Sequence, residues 1–163
     1  MSGALHGVRV LDLSRILAGP WSTQILGDMG AEIIKVERPG SGDDTRHWGP
    51  PFLDGAAATF QGINRGKRSL ALDLRDPVSL AHLQGLIETR ADVVLQNMRP
   101  GQVEQLGLDA ARLRARQPRL VYCNLGAFGS VGPLAERPGY DPLMQAFGGI
   151  MSVVGEPGGA PVR

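Results

Sequence analysis

Apolar positions fall in short runs separated by polar, glycine- and proline-rich stretches, and the period of each run predicts an element. VRVLDL (residues 8–13) is a compact apolar run with β-branched content, as in a buried strand. After the loop SRILAGP, Pro20 suits the first turn of a helix that runs to about Met29 and is closed by Gly30. AEIIKVE (31–37) is a second strand, which completes a unit of βαβ proportions. A long polar loop follows (38–52), then a short helix in AAATFQGIN and a third strand in SLALDL (69–74). Asp76 and Pro77 are placed to cap and open the next helix, in which Leu80, Leu83, Leu86 and Ile87 share one face. DVVLQN is a fourth strand. Two short helices near 102–106 and 109–116, a fifth strand from Leu120 and a helix in PLMQAFGGIM complete the series.

This alternation predicts an α/β fold with an open, mostly parallel sheet. Several strands are continuous apolar runs, as a sheet covered by helices on both faces requires. Ligands of such sheets sit beyond the carboxyl ends of the strands, here residues 14–20, 37–42, 73–76, 96–101 and 124–129.

Composition narrows the function. The 163 residues are of single-domain size, 42% hydrophobic and 20% charged, enough for a real core. A net charge of +1 gives no electrostatic case for nucleic acid or an anionic membrane. The lone Cys123 excludes an internal disulfide framework and fits a reducing compartment. The start of the chain does not read as a signal peptide, and no run is long enough for a membrane helix.

The candidate chemistry lies in the loops. RILAGP has one glycine where a dinucleotide fingerprint has three, and Pro20 removes an amide from the phosphate cradle, although Glu37 ends the second strand at a suitable distance. Arg38 follows that strand, as a phosphate- or purine-binding arginine or as a loop residue paired with Asp43 or Asp44. Asp43 and Asp44 themselves read more readily as solvated carboxylates than as a metal or acid pair. Arg65, Lys67, Arg68 and Arg75 form a basic cluster, either a polyphosphate site or a solvated rim. QNMRPG (96–101) ends a strand with groups that suit a nucleotide or simply a turn. His6, His47 and His82 are scattered, and Cys123 reads as a small core residue. Asp141, beside Tyr140, is placed to cap the last helix or to present a carboxylate to a cleft.

Five stretches in order, LHGVRVLDLSRILAGP, LGDMGAEIIKVERPGSGDDTR, NRGKRSLALDL, ADVVLQNMRPG and RPGYDPLMQAFGG, resemble the start of a class III CoA-transferase, the family of formyl-CoA, carnitine and succinyl-CoA transferases. They span essentially the whole chain. The resemblance implies a Rossmann-like large domain that binds coenzyme A without a glycine fingerprint, with residues 1–163 as its N-terminal part and a small domain and C-terminal part to follow. By the same resemblance, CoA contacts come from Ala18, Arg38, Leu72, Arg75, Asn97 and Met98, and Leu17, Tyr140 and Asp141 line the active site.

Three positions depart from the family pattern. Met98 replaces an aromatic residue, Gln105 an arginine and Leu17 a glutamine. The related α-methylacyl-CoA racemases have a histidine base where this chain has Tyr140, and a phenol with a reference pKa of about 10 is a poor base near neutral pH, which favours transferase. The family nucleophile, an aspartate that forms acyl and CoA intermediates, is expected beyond Arg163, so the chain alone is expected to be inactive. No metal or permanently bound cofactor is implied. A cytoplasmic, interlocked homodimer acting on an acyl-CoA, succinyl-CoA or similar, and a small carboxylate is the expected whole. A non-catalytic CoA-binding module is the other reading, and a nicotinamide oxidoreductase a more distant one.

Overall fold

The computed structural model describes residues 3–162. The chain divides into two compact units, Met1–Leu125 and Gly126–Arg163.

The first unit holds a five-stranded parallel sheet of order β5-β2-β1-β6-β7. Its strands are β1 (Arg9–Asp12), β2 (Glu32–Glu37), β5 (Arg68–Ala71), β6 (Val93–Gln96) and β7 (Val121–Asn124). The expected α/β architecture is present. Helix α1 (Ala18–Asp28) links β1 to β2, with Pro20 in its first turn and Gly30 just past its end at φ 102°. α2 (Ala58–Asn64) precedes β5, and α3 (Pro77–Arg90) links β5 to β6. Asp76 caps α3 by accepting from Ser79 N, with Pro77 as first residue. α4 (Gln102–Gln105) and α5 (Ala110–Arg116) lead to β7, and Asp109 caps α5 through Arg112 N.

Period-2 alternation divides the β1 side chains between two layers. Leu11 and Leu13 join Val36, Val94, Leu83, Ile87 and Leu113 in the main core, under α3 and α5. Leu80 and Leu86 pack at its edge, as the helical periodicity implies. Asp12 faces the other way and accepts from Thr23 on α1. Leu83 and Ile87 are fully buried, so truncating either to alanine costs about 2–5 kcal/mol.

Two expectations need correction. The third long strand stops at Ala71, short of Leu74, because its neighbour β2 ends at Glu37, opposite Ala71, and the chain then turns at residues 73–76, where Asp76 N donates to Asp73 O. The long polar loop contains a 3-10 turn (Asp44–His47), and a small antiparallel hairpin, β3 (Phe52–Leu53) with β4 (Ala56–Ala57), takes the first two alanines of AAATFQGIN, so the expected short helix begins at Ala58.

The second unit carries α6 (Asp141–Phe147) and a 3-10 turn (Ile150–Ser152). Phe128 packs edge-on against Phe147 at 5.2 Å. α6 buries none of its residues.

Candidate functional site

A cleft of about 660 Å³ opens at the carboxyl ends of the sheet, within the first unit. Leu13, Val36, Leu72 and Met98 supply its apolar floor, and Arg15, Arg38 and Arg75 its cationic groups. Adjacent parallel strands deliver their following loops to the same edge, which is why residues so far apart in sequence meet here.

The loop after β1 is held by three side chains. Asn97 accepts from Arg15 N at 2.9 Å and donates to Arg15 O at 2.8 Å. Lys35 donates to Ser14 O at 2.9 Å, and Asp43 accepts from Ile16 N at 3.3 Å. Between these anchors Ile16 takes φ 72°, a left-handed conformation that β-branched residues rarely adopt. Arg15, its backbone held by Asn97, lines the cleft. Gln96 accepts from Met98 N at 2.7 Å and so fixes the turn that presents Met98.

The first unit also holds two buried ion pairs. Lys35, 2% exposed, pairs at 2.9 Å with Asp43, fully buried. Lys67, 3% exposed, reaches Asp12 at 3.1 Å, Pro20 O, Thr23 and Asn64. Burial pushes the Asp43 carboxyl up, but Lys35's charge and the Thr45 amide and hydroxyl outweigh it and hold the group below the usual range. Burial dominates at Lys67 and, against the opposing pull of Asp12, lowers its ammonium to about 8.

Glu37 is spent in the same way. It accepts from Arg46 Nε and Nη2 at 2.7 Å, from Ser69 at 2.8 Å and from Asp43 N at 2.9 Å. Burial raises its pKa, yet these donors bring it below the ordinary value. A carboxylate so occupied has no free oxygen for a ribose, which speaks against a dinucleotide site. Gly42, at φ 65°, sits where a Cβ would meet Arg46 at 2.6 Å and Glu37 at 2.7 Å, so the loop after β2 can close only over glycine.

Of the residues expected to contact CoA, Arg38, Leu72, Arg75 and Met98 line this cleft. Asn97 lies behind it with its amide engaged by Arg15. Leu17 and Ala18 stand exposed at the start of α1, Leu17 as its uncapped N-terminal neighbour. Tyr140 precedes α6 and is exposed. Asp141 is the first residue of α6, where it accepts from Gln145 at 2.5 Å. It does not cap the helix, because the N-cap position is Tyr140. Arg163, the limit beyond which the nucleophile is expected, lies outside the described residues.

One loop reading is overturned, and another holds for three of its four residues. Asp43 is not a solvated carboxylate but the buried partner of Lys35. The basic cluster is dispersed: Arg65 pairs with Asp28, Arg68 with Glu32 and Lys67 with Asp12, and only Arg75 reaches the cleft. Among the described residues no group of three or more His, Cys, Asp or Glu could hold a metal ion. Among the described residues, no helix is long and apolar enough to cross a membrane.

An α/β fold with arginines set around an apolar floor at its strand ends places this cleft where folds of this class bind their ligands. Residues 5–163 match the profile of CoA-transferase family III, and the chain belongs to that family. It is 47% identical to a succinate–glutarate CoA-transferase of Agrobacterium fabrum, covering 98% of this chain and 41% of that protein. It is 44% identical to succinyl-CoA:glutarate CoA-transferase of Mus musculus, covering 98% of this chain and 36% of the relative. The crystal structure of a CAIB/BAIF family protein from Brucella suis superposes with a TM-score of 0.93 at 47% identity, over 100% of this chain and 44% of that one. The chain thus spans less than half the length of these relatives.

Proposed function

We propose that residues 1–163 form the CoA-binding part of the large domain of a CoA-transferase acting on dicarboxylyl-CoA substrates of succinyl and glutaryl size. The observation that carries this reading is the cleft itself, in which Arg38 and Arg75 flank a floor of Leu72 and Met98 at the ends of parallel strands. An adenine ring suits the apolar floor, and guanidinium forks suit the phosphates of CoA. The two named relatives supply the substrate class.

The reaction in this reading is covalent. An aspartate supplied by sequence beyond Arg163 attacks the thioester carbonyl, the C–S bond breaks, and CoA thiolate leaves a mixed anhydride. The thiolate then attacks the aspartyl carbonyl, releasing the first carboxylate and forming an aspartyl-CoA thioester. The acceptor carboxylate repeats the exchange in reverse and restores the aspartate. Tyr140, in place of a histidine base, supports transfer over racemisation. The working form in this account is a cytoplasmic, interlocked homodimer that uses an acyl-CoA and a small carboxylate. Protein made from the complete reading frame should exchange CoA between succinyl-CoA and glutarate. Epimerisation of a 2-methylacyl-CoA without exchange would replace this reading with the racemase one.

A further inference from the structure

Three cationic groups reach the cleft, and each is already held by a carboxylate at its edge. Arg38 Nη2 donates to Asp44 Oδ1, while Arg15 Nη1 lies 3.9 Å from Asp44 Oδ2. One carboxylate therefore bridges guanidinium groups delivered by two different strand-end loops. Arg75 donates through Nε and Nη2 to the two oxygens of Asp73, each at 3.0 Å, in a fork-on-fork pair. Asp44 and Asp73 are part-exposed, and Asp73 also accepts from Arg75 N at 3.0 Å, a bond that an asparagine oxygen can keep. They differ from Asp43 and Glu37, whose carboxylates are buried and tied to Lys35 and Arg46.

We propose that Asp44 and Asp73 are specificity-determining residues that occupy the phosphate positions of the cleft and are displaced when a phosphorylated ligand binds. The inference rests on the CoA-binding reading of the same cleft. A carboxylate across two guanidinium groups has the charge and spacing of a phosphate monoester with part of its charge missing. A dianionic phosphate exchanges with it favourably because it offers more charge and a third oxygen. A carboxylate group gains little, since it replaces a tethered carboxylate with a free one, and the two charges of succinate or glutarate are split between two such groups. The carboxylates thereby keep the small carboxylate substrate out of the arginine sites and reserve these for CoA. They also hold the guanidinium groups apart and preset their orientation.

The test is calorimetric titration of CoA, adenosine 3′,5′-bisphosphate and succinate into the wild type and into Asp44→Asn and Asp73→Asn. Removing each competing carboxylate should tighten CoA and the bisphosphate modestly, by about two- to fivefold, as expected for an exposed ion pair. Succinate binding should become detectable in the variants, and the gain should shrink at high salt. Arg38→Ala is the control that locates the ligand. If the wild type binds CoA and Arg38→Ala weakens it, but neither asparagine variant gains affinity, this inference fails and the CoA-binding reading stands. A wild type that binds neither phosphorylated ligand overturns both.

Discussion

Replacing Lys35 by methionine removes the cation from a carboxylate that water cannot reach. Asp43 is fully buried and Lys35 Nζ lies 2.9 Å from it. Breaking such a pair from one side costs about 3–5 kcal/mol, because the remaining charge is left uncompensated. Asp43 would keep its bonds from Thr45 N at 3.0 Å and Thr45 Oγ1 at 2.8 Å, which places the expected loss near the lower end, about 3 kcal/mol. With a urea dependence of about 2 kcal/mol per molar, the midpoint should fall by roughly 1.5 M with an unchanged slope.

The double variant Lys35→Met/Asp43→Asn should recover part of the loss, since no charge then remains to be compensated. Acid provides a second readout. The depressed pKa of Asp43 means that its stabilising contribution is full above the unfolded value of about 3.9 and is lost as pH falls through the folded value. In the Lys35→Met variant the carboxyl takes up its proton at higher pH, so the deficit against wild type should narrow on acidification. A single variant within about 0.5 kcal/mol of wild type, the ordinary range of surface substitutions, would refute the reasoning.

Lys67 titrates at about 8 in the folded chain. Because this lies below its unfolded value of about 10.4, the folded state binds fewer protons between the two, and the lysine should make stability rise across that window. The difference between wild type and Lys67→Met, measured by denaturation at pH 7.5 and pH 10, should therefore shift in favour of wild type at the higher pH. An unchanged difference would count against a buried ammonium. Gly19→Ala should destabilise by about 1–3 kcal/mol, since its Cβ would lie 2.3 Å from the Cβ and Oγ of buried Ser14. A melting temperature equal to wild type would show that α1 is free to move off the β1 loop.

The elements were legible because their signals are local. The apolar run of DVVLQN and the Asp76–Pro77 start of α3 each act within a few residues, and the structure places both where the pattern does. The strand ends that meet at the cleft were legible through the rule that parallel strands deliver ligand groups at their carboxyl ends, whereas Leu72, Arg75 and Met98 were singled out by the family resemblance, and Leu13 and Val36 by neither. The buried ion pairs were not legible. Lys67 and Asp12 are 55 residues apart, and the polar stretch around Lys67 reads as solvated. A signal was nonetheless present: Asp12 in VRVLDL and Lys35 in EIIKVE are charges inside apolar strands, and such charges need buried partners. The clamp by Asn97 was hidden for the same reason, as it joins positions 82 residues apart.

The central claim is that the cleft of the first unit receives CoA. Titrating CoA into isotopically labelled protein and following backbone amide resonances tests it most directly. The account predicts saturable shifts grouped at Arg15, Arg38, Leu72, Arg75 and Met98, and their loss in Arg38→Ala. Saturable shifts clustered elsewhere, or none at millimolar CoA, would contradict it.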